Sequence, residues 1–220
     1  MHYVFQFGDV WAAWPDLLWG AWLTIQLSAA SMLLGLLVAV VCALGKTIGP
    51  NPVRWTVDAY VELIRNTPFI VQLFFIFFGL PGIGVKLSAE VASVLAMVIN
   101  LGAYAAEIIR AGIEATPRGQ IEAALSLAMT QAQVFIRVVL PPALRKVWPA
   151  LVSQIIIVML GSAVCGQIAT QELSYYANLI QSRNFRAFEA FIVATLIYLA
   201  LSVALRRLLD WAGPKFFFGR

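Results

Sequence analysis

Few residues in this sequence could do chemistry, and most of them lie in apolar surroundings. The one histidine, His2, stands at the N-terminus, so no Ser-His-Asp relay can be built around it. Cys42 and Cys165 fall in separate apolar stretches without ligand spacing, and read as small buried residues, not as a metal site. Gly45-Lys46-Thr47 has the end of a phosphate-binding loop. Such a loop needs a glycine five positions before the Gly-Lys pair, and Val40 stands there. What remains suits binding. Arg65-Asn66-Thr67-Pro68 interrupts an apolar run and frees backbone hydrogen-bonding groups, with Gln72 just beyond. Asn100, Tyr104 and Glu107 recur at i, i+4 and i+7, so they share one helix face. Ser162 and Gln167 come late in the chain.

Each of these has a structural alternative. Arg65 either lines a polar path or snorkels to the headgroups from a kink, with Glu62 or Glu107 as a possible partner. Gln72 either donates to a carboxylate or glues helices together. Glu107 either meets an ammonium group or pairs with Arg110 at i, i+3.

The elements that position these residues are membrane spans. Hydrophobic residues make up 61% of the chain and charged residues 12%. A soluble domain averages roughly 45–50% and about 25%. The fold class is therefore an all-α polytopic membrane protein, a single transmembrane domain over 1–220. A span needs about 20 apolar residues. About five are predicted, over 17–44, 55–80, 87–113, 147–168 and 188–209, the second broken at Arg65–Pro68. Ser28, Ser31 and Gly35 offer the first span a surface for close packing.

Basic residues cluster at alternate connections. Lys46 and Arg54 flank the first. Arg110, Arg118, Arg137, Arg145 and Lys146 flank the third, and Arg206, Arg207, Lys215 and Arg220 follow the last span. Lys86, Arg183 and Arg186 lie opposite. These positions predict an outer N-terminus and an inner C-terminus. Trp11, Trp14, Trp19 and Trp22 mark one interface; Trp55, Trp148 and Trp211 mark the other. The net charge of +4 is thus explained by span ends and lipid, without nucleic acid. No Lys or Arg precedes Lys46, which argues against a cleaved leader. The segment Thr170–Arg186 is polar and aromatic, and is read as an outer connector or a docking surface.

Residues 116–142 interrupt this apolar pattern on the predicted cytoplasmic side. Thr116-Pro117 predicts an N-cap and first helical residue, followed by a short helix through Glu122-Ala123-Ala124. Thr130 and Gln133 have capping-box spacing, with Met129 and Val134 at the staple positions. A second helix is expected from Gln131 until Pro141 and Pro142 stop it. The result is a polar hairpin, either resting on the leaflet or docking a cytoplasmic partner.

Gly119-Gln120, Glu122-Ala123-Ala124 and Val138-Val139-Leu140-Pro141 resemble the EAA loop of ABC importer membrane subunits. The usual glycine of that loop is Ala128 here, and alanine is strained in a left-handed corner. Arg65-Asn66-Thr67-Pro68-Phe69-Ile70-Val71-Gln72-Leu73-Phe74-Phe75 is similar to a second family stretch, and Tyr104-Ala105-Ala106-Glu107-Ile108-Ile109-Arg110 to a third. Together they point to the polar amino-acid and opine branch. One departure is clear. Where the family often has Leu-Lys-Asp-Thr-Ser-Leu, this chain reads Leu160-Gly161-Ser162-Ala163-Val164.

The resemblance implies a permease subunit, not an enzyme, in a bacterial inner membrane. It carries no cofactor itself; ATP and Mg belong to a partner ATPase dimer. Gly119, Gln120, Glu122, Ala123, Ala124, Ala128, Leu140 and Pro141 would couple to that ATPase. A periplasmic binding protein would deliver the amino acid, and a second, non-identical permease subunit would complete the path. Arg65, Asn66, Thr67, Gln72, Asn100, Tyr104, Glu107 and Ser162 are the candidate path residues. The rival readings are an ABC permease for methionine or an anion, and an ion-coupled carrier. Carriers usually show internal repeats, and this sequence shows none.

Overall fold

The computed structural model describes residues 4–213 and residue 215; His2 and Arg220 lie outside the described residues. Among the described residues there is no strand. The chain opens with α1 (Gly8–Ala12) and a long helix α2 (Trp14–Ile48), then turns back through α3 (Asn51–Arg65). After Pro68 comes α4 (Phe69–Phe74), which runs on through a π turn (Phe75–Gly79) and a 3-10 turn (Leu80–Ile83). Then come α5 (Ala89–Glu114), α6 (Arg118–Ser126) and α7 (Gln131–Val134). A second π turn (Phe135–Val139) joins α7 to α8 (Leu140–Gly161), and α8 ends in a 3-10 segment (Ser162–Ile168). The polar, aromatic segment before the last span folds as α9 (Leu173–Asn184), and α10 (Ala187–Ala212) closes the fold. Four helices are long and apolar enough to cross a membrane, or five if the bent pair α3–α4 counts as one span.

The core is organised around α5, which packs against α2, α3 and α8. Its buried positions include Ala92, Ala96, Gly102, Ala103, Ala105, Ala106 and Gly112. Small residues let helix backbones approach closely where lipid supplies no hydrophobic driving force between spans. A Cβ on Gly102 would stand 2.7 Å from Val38 Cγ1 and 2.8 Å from the Tyr60 hydroxyl, and one on Gly35 would stand 2.9 Å from Leu101. Of the predicted small face of the first span, Gly35 thus meets α5, whereas Ser28 lines a cleft with α8 and α10. Leu33, Leu37 and Val41 of α2, and Leu196, Leu199 and Val203 of α10, turn outward. Exposed apolar side chains suit a lipid-facing surface.

Two expectations need correction, and a third is sharpened. The second span, expected over 55–80 and broken at Arg65–Pro68, is a pair of arms, α3 and α4–Ile83, bent by 109° at that break. Pro68 is the cause, because a residue before proline is pushed from the helical region. Pro141 and Pro142 do not stop the second hairpin helix, which continues unbroken from Gln131 to Ile168. The preceding π turn, closed by Leu140 N–H donating to Phe135 O, puts both prolines in the first turn of α8. Each proline still removes one backbone donor there, but its fixed φ of about −65° fits a helix, and the wider turn before it makes room for the ring. Finally, Thr116 does not cap α6: Pro117 is the cap residue, extended at ψ 132°, and the helix starts one residue later than expected.

Candidate functional site

The polar hairpin forms at one end of the bundle, and its corner can be read bond by bond. Ala128 takes the left-handed conformation, φ 58°. Ala128 N–H donates to Leu125 O (3.0 Å) and Met129 N–H to Ala124 O (3.3 Å). That pair of bonds is a Schellman ending, the usual use of a glycine at this position. The strain expected for alanine is therefore accepted, offset by two backbone bonds. The next helix begins at once. Thr130 N–H donates to Gln133 Oε1 (2.9 Å) and Gln133 N–H to Thr130 Oγ1 (3.3 Å), so the capping box is present.

The hairpin divides its residues cleanly. Ala124, Val134 and Val139 turn into the core. Gly119, Gln120, Glu122, Ala123, Ala128 and Pro141 are exposed, and Leu140 is half-buried. Leu127 is 78% exposed and Leu125 45%. Sequence reading did not single out these leucines, because the Glu-Ala-Ala next to them drew attention. The signal was there: two leucines in a segment otherwise unsuited to lipid.

The second arm is geared to the spans. Gly112 of α5 lies against Val147 and the Ala143 carbonyl of α8. Beside this contact an apolar cleft of about 670 Å³ lies between Val40 and Leu44 of α2, Ile109 and Ile113 of α5, and Phe135 and Ile136 of the π turn.

The same end holds an ion-pair cluster. Lys46 of α2 reaches Asp58 of α3 (2.6 Å) and Glu107 of α5 (3.3 Å). Arg110 Nε donates to Glu107 Oε1 (3.0 Å), and Arg110 also pairs with Glu114. Three elements are tied by one alternating set of charges. Glu107 is thus engaged by two cations, as the Arg110 pairing alternative supposed. The role of Lys46 is thus to join α2 to α3 and α5, beyond the topology signal that its position carries.

At the elbow the polar groups are also turned inward. Gln72, 8% exposed, donates to Ile64 O (2.8 Å), Thr67 Oγ1 (2.9 Å) and Thr67 O (3.1 Å). It accepts from Asn100 Nδ2 (3.3 Å). Asn66 and Thr67 donate back to Glu62 O and Leu63 O, both at 2.8 Å. The Arg65 guanidinium lies 5.5 Å over the Tyr104 ring, a cation–π contact, and among the described residues it forms no ion pair with Glu62 or Glu107. The elbow and α5 thus bring together Arg65, Asn66, Thr67, Gln72, Asn100 and Tyr104. Of these, Arg65 and Asn66 are exposed. Ser162 lies apart from this group, buried in the 3-10 segment with an unpartnered Oγ.

The far end holds groups that sequence reading missed. Glu172 is fully buried at the start of α9. Its carboxylate accepts from Tyr175 N–H (2.8 Å), Ser174 Oγ and the Tyr198 hydroxyl. Thr24 of α2 accepts from Leu173 N–H (3.1 Å), and Ser93 of α5 bonds Thr170 (2.7 Å). Glu189, also fully buried, accepts from Gln6 N–H (2.9 Å). The α9 region is therefore held by side chains from α2, α5 and α10.

Apolar spans around a small-residue core, an elbow bent at Pro68 and a capped polar hairpin continuous with a span define a multi-pass helical membrane protein of the permease type. Residues 31–218 match the family described as binding-protein-dependent transport system inner membrane component, and the chain belongs to that family. It is similar to the L-cystine transport system permease protein TcyB of Bacillus subtilis, 37% identical over 204 residues, covering 89% of this chain and 87% of that protein. It is also similar to the arginine transport system permease protein ArtQ of the same organism, 33% identical over 192 residues, with 87% and 88% covered. A solved amino acid ABC transporter with histidines superposes at TM-score 0.88 and 35% identity, over 95% of this chain and 98% of that one. The MetNI methionine transporter shares the fold at TM-score 0.69 and 24% identity, covering 93% and 96%. The chain is thus a permease subunit, with ATP hydrolysis carried by a separate ATPase.

Proposed function

We propose that this chain is one membrane half of an importer for a polar amino acid or opine, with the hairpin seated in a cytoplasmic ATPase dimer. The single observation that carries this reading is the exposed, doubly capped corner at Ala128–Thr130, with Glu122, Leu125 and Leu127 facing outward. Burying one leucine on a partner contributes about 1.5–3 kcal/mol. The ATPase binds ATP with Mg and closes. The hairpin follows, and the continuous Gln131–Ile168 helix carries that displacement to the far end of the bundle. Relatives for cystine, arginine and glutamine support the amino-acid class.

Lys46, Arg54, Arg110, Arg118, Arg137, Arg145, Lys146, Arg206 and Arg207 support a cytoplasmic hairpin end in a bacterial inner membrane. The N-terminus is then periplasmic, where a solute-binding protein delivers substrate. Gly161 and Ser162 stand where the family often carries Lys and Asp, which supports a heteromer whose other half supplies those charges. Arg65 and Asn66, exposed at the elbow, are the path-wall candidates on this half.

The test is ATP-driven uptake in proteoliposomes. Glu122→Lys and Leu127→Asp are each expected to abolish uptake while membrane insertion and thermal stability are kept. Wild-type uptake in both variants would refute docking through the hairpin. Full uptake by this chain as the only permease subunit would refute the heteromer.

A further inference from the structure

The elbow spends its amide and hydroxyl groups on the protein itself. A second polar region keeps part of its inventory unspent. Between the 3-10 segment Ser162–Ile168 and one face of α9 lies a cleft of about 370 Å³, lined by Gln167, Tyr175, Asn178, Leu179 and Ser182. Residues 175, 178 and 182 share a helix face. Ligand clefts run from about 300 to 1,000 Å³. We propose that this cleft is a weak binding site for a zwitterionic amino acid. The proposal rests on the amino-acid importer reading above.

The donor and acceptor inventory carries it. Asn178 Nδ2 donates to Ser174 O (3.0 Å), which leaves the acceptor Oδ1 of this cleft-lining residue available. Ser182 Oγ donates to Leu179 O (2.8 Å) and keeps its lone pairs. These two oxygens accept from an ammonium group. Among the described residues, the Gln167 amide and the Tyr175 hydroxyl have no hydrogen-bond partner. The amide N–H and the phenol O–H donate to a carboxylate. No charged side chain lines the cleft, so it matches a ligand whose charges cancel.

The walls are held in place before a ligand arrives. Glu172 fixes the start of α9 through Tyr198, Ser174 and Tyr175 N–H. Ser174 Oγ also reaches Ala163 O (2.8 Å), which links α9 to the opposite wall. Tyr176 packs edge-on against the Tyr175 ring at 5.4 Å. Preorganised walls are what a binding site needs from its supporting shell. A neutral site holds a zwitterion loosely, which suits hand-over because a tight site would retain its cargo.

The experiment uses the assembled transporter in nanodiscs and proteoliposomes, with each common amino acid and L-cystine as labelled probes. Wild-type ATP-driven uptake of one probe is the control for the transport reading, and its absence would fail that reading first. Binding of the transported probe without binding protein is expected to fall at least ten-fold in a Gln167→Leu/Asn178→Leu variant, at unchanged thermal stability. Asn178→Asp adds an anionic wall and is expected to shift preference several-fold from L-glutamine toward L-arginine. A merely structural wall would not move that ratio. Unchanged binding and an unchanged ratio, with wild-type uptake intact, would overturn the site and leave the transport reading standing. Loss of binding-protein affinity with unchanged direct amino-acid binding would also overturn it, and would make the cleft a docking surface.

Discussion

Replacing Ala128 with glycine is expected to stabilise the hairpin corner. Ala128 sits at φ 58°, where an L-residue costs about 1–2 kcal/mol. Glycine removes that strain but adds freedom to the unfolded chain, an opposing effect of about 0.4–1 kcal/mol. The difference spans about 0–1.6 kcal/mol with a midpoint of about 0.8 kcal/mol, which multiplies the closed-to-open ratio of the corner roughly four-fold. The amides that report it are Leu127, Ala128 and Met129, which donate to Ala123 O, Leu125 O and Ala124 O. Hydrogen exchange by mass spectrometry on a peptide covering these residues should slow by the same factor, because exchange here proceeds through local opening. Ala128→Val should speed it, since a β-branched residue tolerates positive φ poorly. Identical exchange in Ala128→Gly and the parent would refute the left-handed corner.

Gly102→Ala places a Cβ 2.7 Å from Val38 and 2.8 Å from the Tyr60 hydroxyl, and should destabilise by about 1–3 kcal/mol. A thermal midpoint in detergent checks this, and Val38→Ala in the same chain should recover part of the loss. Gln72→Leu strips the Ile64 and Thr67 acceptors of their donor, at about 1–3 kcal/mol. Its midpoint should fall with the uptake preference among amino acids unchanged; a changed preference would mean that Gln72 touches cargo.

Much of this architecture was legible because lipid imposes simple rules. Apolar runs of span length gave the helices, and the basic residues at alternate ends matched the hairpin end of the bundle. Thr130 and Gln133 announced their capping box, since that device depends on spacing alone. Other features depend on what a residue meets across the fold. Lys46 reads as a topology marker until α3 and α5 bring Asp58 and Glu107 to it. Pro141-Pro142 reads as a stop until the π turn before it is known. Nothing in Ser162–Ile168 demands a 3-10 segment, although Gly161 and Gly166 nearby weaken an α-helix. Glu172 was illegible as a buried group, because Tyr198 lies 26 positions away in sequence.

The unbroken Gln131–Ile168 helix also restricts how such a chain can vary in length. Each residue advances a helix by about 100°. Deleting one residue between Pro142 and Gly161 would leave both ends folded but out of phase by over a quarter turn. The corner at Ala128 would then aim elsewhere relative to α9. Insertions and deletions along this shaft therefore carry a cost that the packing of its residues alone does not show. Its length is as much a specification as any side chain on it.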